Sequence, residues 1–195
     1  AALGLMLLAG PMIATLFESA VFDANDVAMA ERSLIAYGFG LQAFILIKVL
    51  APGFYARQDT RTPVRIGVIA MAANMVFNLA LIWPLQHAGL ALATSLSAYL
   101  NAYLLMRMLR RGKAYVPTAG WGRLALQVLV AATAMAALLA WVSPDLRAWL
   151  DAGRLQRVGM LAGLIVLGAV TYFSVLLLSG LRLRNLRAQD VEVEN

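Results

Sequence analysis

The sequence has no cysteine, a single histidine (His87), and only 13% Asp, Glu, Lys and Arg. Without cysteine there is no disulfide, no thiol nucleophile and no thiolate metal site. One histidine excludes an H-E-x-x-H zinc motif, and no glycine-rich phosphate loop ending in Gly-Lys-Ser/Thr occurs. No acidic pair falls inside an apolar run, so the chain does not read as an enzyme. Soluble domains carry roughly a quarter charged residues. The counterpart of this scarcity is 62% hydrophobic residues and a mean hydropathy of +0.78. The composition is that of a membrane protein.

Six apolar stretches divide the 195 residues, at 1–17, 27–52, 63–83, 88–106, 122–142 and 158–180. All but the first approach or exceed the roughly 20 residues that a helix needs to span a bilayer. Short alternating segments, the mark of a membrane β-barrel, are absent, which leaves helices as the spanning structure. The fold class expected is therefore all-α, a polytopic transmembrane helix bundle of about six spans. Ala1 opens inside an apolar run with no initiator Met and no basic segment before it. The expectation is a chain that begins within a transmembrane helix, not at a cleavable signal peptide. At the start of the second span, Asn25 or Asp26 is the candidate cap.

The chain is organised around Lys48 to Pro63, KVLAPGFYARQDTRTP. Pro52 has no N–H and Gly53 tolerates positive φ, so the second span is expected to stop there. Thr62-Pro63 restarts a helix, since proline suits the first turn. Alternate loops should share a side of the membrane, and twelve of the sixteen basic residues fall on one side. They are Lys48, Arg57, Arg61 and Arg65, then Arg107, Arg110, Arg111, Lys113 and Arg123, then Arg182, Arg184 and Arg187. The positive-inside rule places these loops and the C-terminus in the cytoplasm. Trp83, Trp121 and Trp141 stand at expected interfaces. Topology thus accounts for the net charge of +6, and no nucleic-acid partner is implied. Between the last two spans, Leu146, Trp149 and Leu150 recur at helical spacing, as in a short helix lying in the outer interface. The tail after Arg187 is polar.

Polar residues also share helix faces inside the spans. Asn74 and Asn78 are four apart; Thr94, Ser97 and Asn101 follow at i, i+3 and i+7. The connection Pro84 to His87 is short, so these two spans should be antiparallel neighbours. Counted from that connection, Asn78 and Thr94 lie at about 8 Å depth, and Asn74 and Ser97 at about 13 Å. Two readings follow. One is interhelical hydrogen-bonding, worth about 0.6 to 2 kcal/mol per contact. The other is a cation site of amide, hydroxyl and backbone carbonyl oxygens. Elsewhere, Glu31 and Arg32 sit one turn inside the second span, facing protein, water or the interface. Lys48 snorkels, His87 is a surface histidine, and Gly159-x-x-x-Gly163 marks close helix packing.

The string KVLAPGFYARQDTRTPV, with Glu31 to Tyr37 (ERSLIAY), Asn78-Leu79-Ala80 and His87-Ala88-Gly89-Leu90, resembles the lipid II flippase family MurJ (MviN). That family lies within the multidrug/oligosaccharidyl-lipid/polysaccharide exporter superfamily. The resemblance is dense from Gly10 to Arg110 and rests on span pattern from Trp121 onward. It implies a transporter of fourteen helices, of which this chain would be part of the ninth and the tenth to fourteenth. Residues 1–110 would be C-terminal-lobe helices, 111–121 a cytoplasmic linker, 122–187 the last two helices, and 188–195 a cytoplasmic tail. The implied function is translocation of lipid II, the undecaprenyl-pyrophosphate-linked peptidoglycan precursor, across the bacterial inner membrane by alternating access. Its partners would be lipid II, membrane lipids and upstream helices; the arginine-rich head-group cavity lies upstream of Ala1. Family members have a sodium site on the third and fourth spans, which the resemblance carries to Asn74, Asn78, Leu90 and Thr94. Where this chain has Asn78, those members carry Asp. The last two helices of the family line a lipid-tail groove, here Ala131 to Ala140 and Gly159 to Gly168. The alternatives are a sister exporter of other polyprenyl-linked oligosaccharides or drugs, and a non-transporting membrane scaffold.

Overall fold

The structure is a computed structural model that describes residues 2–17, 24–112, 121–144, 149 and 152–180. Helices α1 (Ala2–Leu7) and α2 (Ala9–Phe17) make up the first apolar stretch. They divide at Leu8 because Pro11 offers no N–H to the carbonyl of Leu7 and its ring crowds that oxygen. On either side the ladder holds, with Leu8 N–H to Gly4 O at 3.0 Å and Met12 N–H to Leu8 O at 2.8 Å. Helix α3 (Ala24–Leu50) is the second span. It starts before Asn25 and Asp26, so neither caps it; Asp26 lies in the first turn, where a carboxylate favours the positive end of the helix dipole.

Helix α3 ends at Leu50, at the stop expected before Pro52, but the chain does not turn away there. Ala51 keeps helical angles and its N–H bonds Ile47 O at 2.9 Å, and one further turn, α4 (Pro52–Tyr55), follows. Pro52 stands at the first position of that turn, the place where its missing N–H costs least. The chain reverses only after Arg57, where Gln58 takes φ +58°. Asp59 Oδ1 then accepts the N–H of Thr62 at 3.0 Å, at the start of α5 (Arg61–Arg111). Hydrogen bonding from Thr62 holds the Asp59 carboxyl below the ordinary carboxylate range. What this contact contributes is present above the unfolded pKa and is lost as pH falls through the depressed folded value.

Helix α5 runs for 51 residues but is not one straight rod. Gln86, at φ 49° and ψ −126°, breaks it next to Pro84. A straight helix would separate Ile66 from Leu105 by about 58 Å. Instead both belong to one buried cluster with Leu50, Phe54 and Leu109. The arms 61–85 and 87–111 are therefore an antiparallel hairpin, as the short connection implied. Gly89 permits the turn, since a Cβ there would collide with the carbonyl of Leu81.

Helices α6 (Trp121–Val142) and α7 (Arg154–Leu178) are the last two spans. α3 packs on α5, α6 on α7, and α1 and α2 bridge the pairs. Among the described residues, four helical units, one of them folded in two, are long and apolar enough to cross a membrane. This is a multi-pass membrane protein. Trp83 and Trp141 stay 88% and 84% exposed at helix ends, where indoles prefer the interface.

Trp149 departs from its expected place in the outer interface. It is fully buried with Leu8, Met135, Leu139 and Leu164. Packing an indole between helices removes more apolar surface than laying it on the bilayer edge. Its companions Leu146 and Leu150, and the residues after Gly180, lie outside the described residues. The Gly159-x-x-x-Gly163 expectation is also corrected. Both glycines face open space, and the glycine that meets a neighbour is Gly168, whose added Cβ would lie 3.2 Å from Leu139 Cδ1. Glu31 lies over Gly10 of α2, where a Cβ would come within 3.0 Å of its Oε1; it faces protein.

The turn at 56–60 and Gly112 share one end of the hairpin, and His87 is at the other. Single cysteines at Gln58 and Gly112 are expected to label only from the cytoplasm, and one at His87 only from outside. The native chain has no cysteine to confuse the result. Labelling of Gln58 from outside would overturn the orientation.

Candidate functional site

Two features stand out: a polar seam inside the α5 hairpin and an apolar cleft among α1, α6 and α7. The seam is a chain of hydrogen bonds. Asn78 Nδ2 donates to Asn74 Oδ1 at 3.0 Å, and Asn74 Nδ2 donates across the hairpin to Ser97 Oγ at 3.2 Å. Ser97 Oγ donates to the carbonyl of Thr94 at 2.9 Å, and Thr94 Oγ1 to the carbonyl of Leu90 at 2.9 Å. Asn74 and Ser97 meet, as their equal depth required. Asn78 and Thr94 do not: no hydrogen bond joins them among the described residues. Ser97 is the hub, a role that its position facing Asn74 already indicated. Below it, Asn101 lines a cleft of about 260 Å³ together with Asn74, Thr94, Ser97 and Phe44.

As a cation site this set is short of charge. Asn74 Oδ1 already accepts from Asn78, while Thr94 Oγ1 donates to the Leu90 carbonyl and keeps its lone pairs. One acceptor is both buried and unengaged, Asn78 Oδ1. Among the described residues, no group of three or more His, Cys, Asp or Glu could hold a metal ion. Sodium with only neutral ligands would bear most of its desolvation without countercharge. The residues present fit a hydrogen-bonded seam better than a sodium centre, and no transport step is derived through an ion.

The seam makes a direct prediction. Asn78→Leu with Thr94→Val removes the orphan oxygen and leaves the Asn74–Ser97 contact in place. Folded protein should fall slightly, by about 1 kcal/mol of stability for the donor lost to Asn74. Sodium should not raise the melting temperature of either form. A stabilisation by sodium that the unaltered protein shows and the double variant lacks would restore the ion site.

The cleft lies where α1, α6 and α7 converge. Its volume is about 620 Å³, and its walls include Leu5 and Leu8 of the first apolar stretch, Met135 and Leu139 of α6, and Ile165, Gly168, Ala169 and Phe173 of α7. Leu41 of α3 closes one side. Small residues at 168 and 169 set the α7 wall back and leave the space. Of the stretches Ala131–Ala140 and Gly159–Gly168, the cleft is walled by Met135, Leu139, Leu164, Ile165 and Gly168; it extends toward the second half of α7, and Gly159 and Gly163 face elsewhere.

The family model described as "Lipid II flippase MurJ" matches residues 1–153. The chain is 46% identical over 188 residues to the "Probable lipid II flippase MurJ" of Vibrio cholerae serotype O1, covering 96% of this chain and 36% of that protein. With the protein of the same description in Haemophilus influenzae it shares 46% identity over 190 residues, 97% of this chain and 37% of the relative. The "Lipid II flippase MurJ" of Burkholderia cenocepacia is 40% identical over 183 residues, 93% of this chain and 35% of the relative. The chain thus spans about a third of the length of the relatives it matches.

Proposed function

The chain belongs to the lipid II flippase MurJ family, and we propose that it supplies part of the membrane body of a transporter that carries lipid II across the bacterial inner membrane. The reading rests on the family and on one observation, the apolar cleft. A polyprenyl tail must travel with its head group and needs a lipid-like lane beside the helices. A cleft of about 620 Å³ walled almost wholly by carbon matches that chemistry. The head group would be held by segments that the longer relatives possess and this chain does not align with. Alternating access would then move two lobes around it, with the α5 hairpin as a rigid piece of one lobe. The basic end of the bundle, with Arg57, Arg61 and Arg65, would face the cytoplasm. No step here needs catalytic residues.

The test is to fill the lane. Ala169 lines the cleft and is exposed to it. In the intact protein, Ala169→Trp should leave the folded amount unchanged and lower lipid II translocation about tenfold or more. Losing about 60 Å² of apolar contact is worth about 1.5 kcal/mol, which corresponds to that factor. The measurement is lipid II accessible at the outer face, normalised to folded protein. Unchanged translocation would remove the cleft from the transport path.

A further inference from the structure

The basic end of the α5 hairpin is shaped, and not merely charged. Between positions 48 and 112 there are seven basic residues (Lys48, Arg57, Arg61, Arg65, Arg107, Arg110 and Arg111) and one acidic residue, Asp59. All seven are exposed. Asp59 Oδ1 is engaged by the N–H of Thr62, so the single carboxylate is turned into its own helix start. Arg57 is held in place. The turn behind it is closed by Arg57 N–H to Phe54 O at 3.0 Å and Asp59 N–H to Phe54 O at 3.1 Å. Its Nη1 reaches across to the carbonyl of Gly112 at 3.2 Å. That contact uses one of five guanidinium donors and leaves the rest free.

Arg57 thereby spans a cavity of about 340 Å³ whose other walls include Phe54, Asp59, Thr62, Met108 and Leu109. The floor is apolar: Phe54 and Leu109 belong to the buried core. Met108, in the wall, is an exposed apolar side chain, and Tyr55, next in sequence to Phe54, is another. A guanidinium tied to the Gly112 carbonyl above an apolar floor, with Asp59, the one carboxylate in the wall, accepting from Thr62, has the chemistry to hold a phosphodiester with its acyl chains alongside.

We propose that this cavity binds the head group of an anionic phospholipid of the surrounding leaflet, with Arg57 as its principal phosphate ligand and Tyr55 and Met108 against its chains. The site is separate from the apolar cleft and from the polar seam. It would tether the turn 56–60 to the membrane surface.

A diffuse basic field would attract the same lipids without any site, and the two cases separate by position. Arg57 is at the cavity; Arg110 lies on the side of its helix opposite to Met108, Leu109 and Gly112, and carries the same charge. The intact protein is exchanged into vesicles of equal phosphatidylglycerol and phosphatidylcholine, and the retained lipid is counted by native mass spectrometry. The unaltered protein should retain phosphatidylglycerol preferentially. Arg57→Gln should weaken that retention about twentyfold or more, since it removes charge-assisted hydrogen bonding to phosphate. Arg110→Gln should weaken it about fivefold or less, the share of a basic residue at the surface without a site. Equal losses in both variants would show a diffuse field and overturn the proposal, as would retention without preference for the anionic lipid. Displacement by glycerol 3-phosphate as effective as by phosphatidylglycerol would assign the cavity to a free phosphate instead, and would also overturn it.

Discussion

Gly40→Val is expected to remove most of the folded protein from the membrane. Gly40 is buried on α3 where that helix crosses the second arm of α5. An added Cβ would lie 2.8 Å from Ser95 Cα and 2.7 Å from Ser95 Cβ, and would collide with Ser95 Oγ. Two of these atoms cannot rotate away, because one is backbone and the next is fixed to it. The hydroxyl is also committed, donating to the carbonyl of Ala36 at 2.6 Å. Tyr99 repeats the arrangement one turn on, donating to the carbonyl of Phe39 at 2.9 Å. The two helices must part for any side chain at position 40, and the α3–α5 interface is the most extensive in the bundle. Overpacking of this kind costs about 3 kcal/mol, roughly a hundredfold in the ratio of folded to unfolded protein. Gly40→Ala should be milder, and Ser95→Gly should partly rescue it, since that change removes both side-chain atoms and leaves only the backbone of residue 95 in the way. Gly67→Ala is the control, with nothing within 4 Å of its added Cβ. A folded amount unchanged in Gly40→Val would mean that the crossing is wrongly placed.

Much of this architecture is legible in the order of the residues alone. Apolar runs fix spans because lipid leaves a backbone no partner but itself. The hairpin at Pro84 to His87 is legible because its length allows no other arrangement. From that hairpin alone the depth match of Asn74 with Ser97 follows by counting. At Pro52 the end of the long helix is legible but not its sequel: α3 stops at Leu50, and the proline also begins a new turn, α4. At Trp149, Gly159 and Gly163 the periodicity is real, but the direction of the face is set by distant partners. Whether an indole lies in lipid or between helices depends on Leu8 and Leu164, more than a hundred residues apart. Equally, the seam offers two readings because residue types do not say which oxygens are already engaged. The hydrogen bonds of Asn74 decide that, and they leave Asn78 Oδ1 alone.

On the proposed reading, these 195 residues form a working section of a lipid II transporter. The most direct measurement is a transplant into the Vibrio cholerae relative, where the chain aligns over 188 residues at 46% identity. The matching third of that protein is replaced by this chain, and the chimera becomes the only flippase in cells depleted of their own. The interior contacts described above, Gly40 on Ser95 and Asn74 on Ser97, travel together in the transplant, so the section should fold as a unit. Growth with normal shape and lipid II restored at the outer face of the membrane is expected, with loss of both when Ala169→Trp is added. A chimera that reaches the membrane folded, at normal abundance, yet exposes no lipid II would contradict that reading.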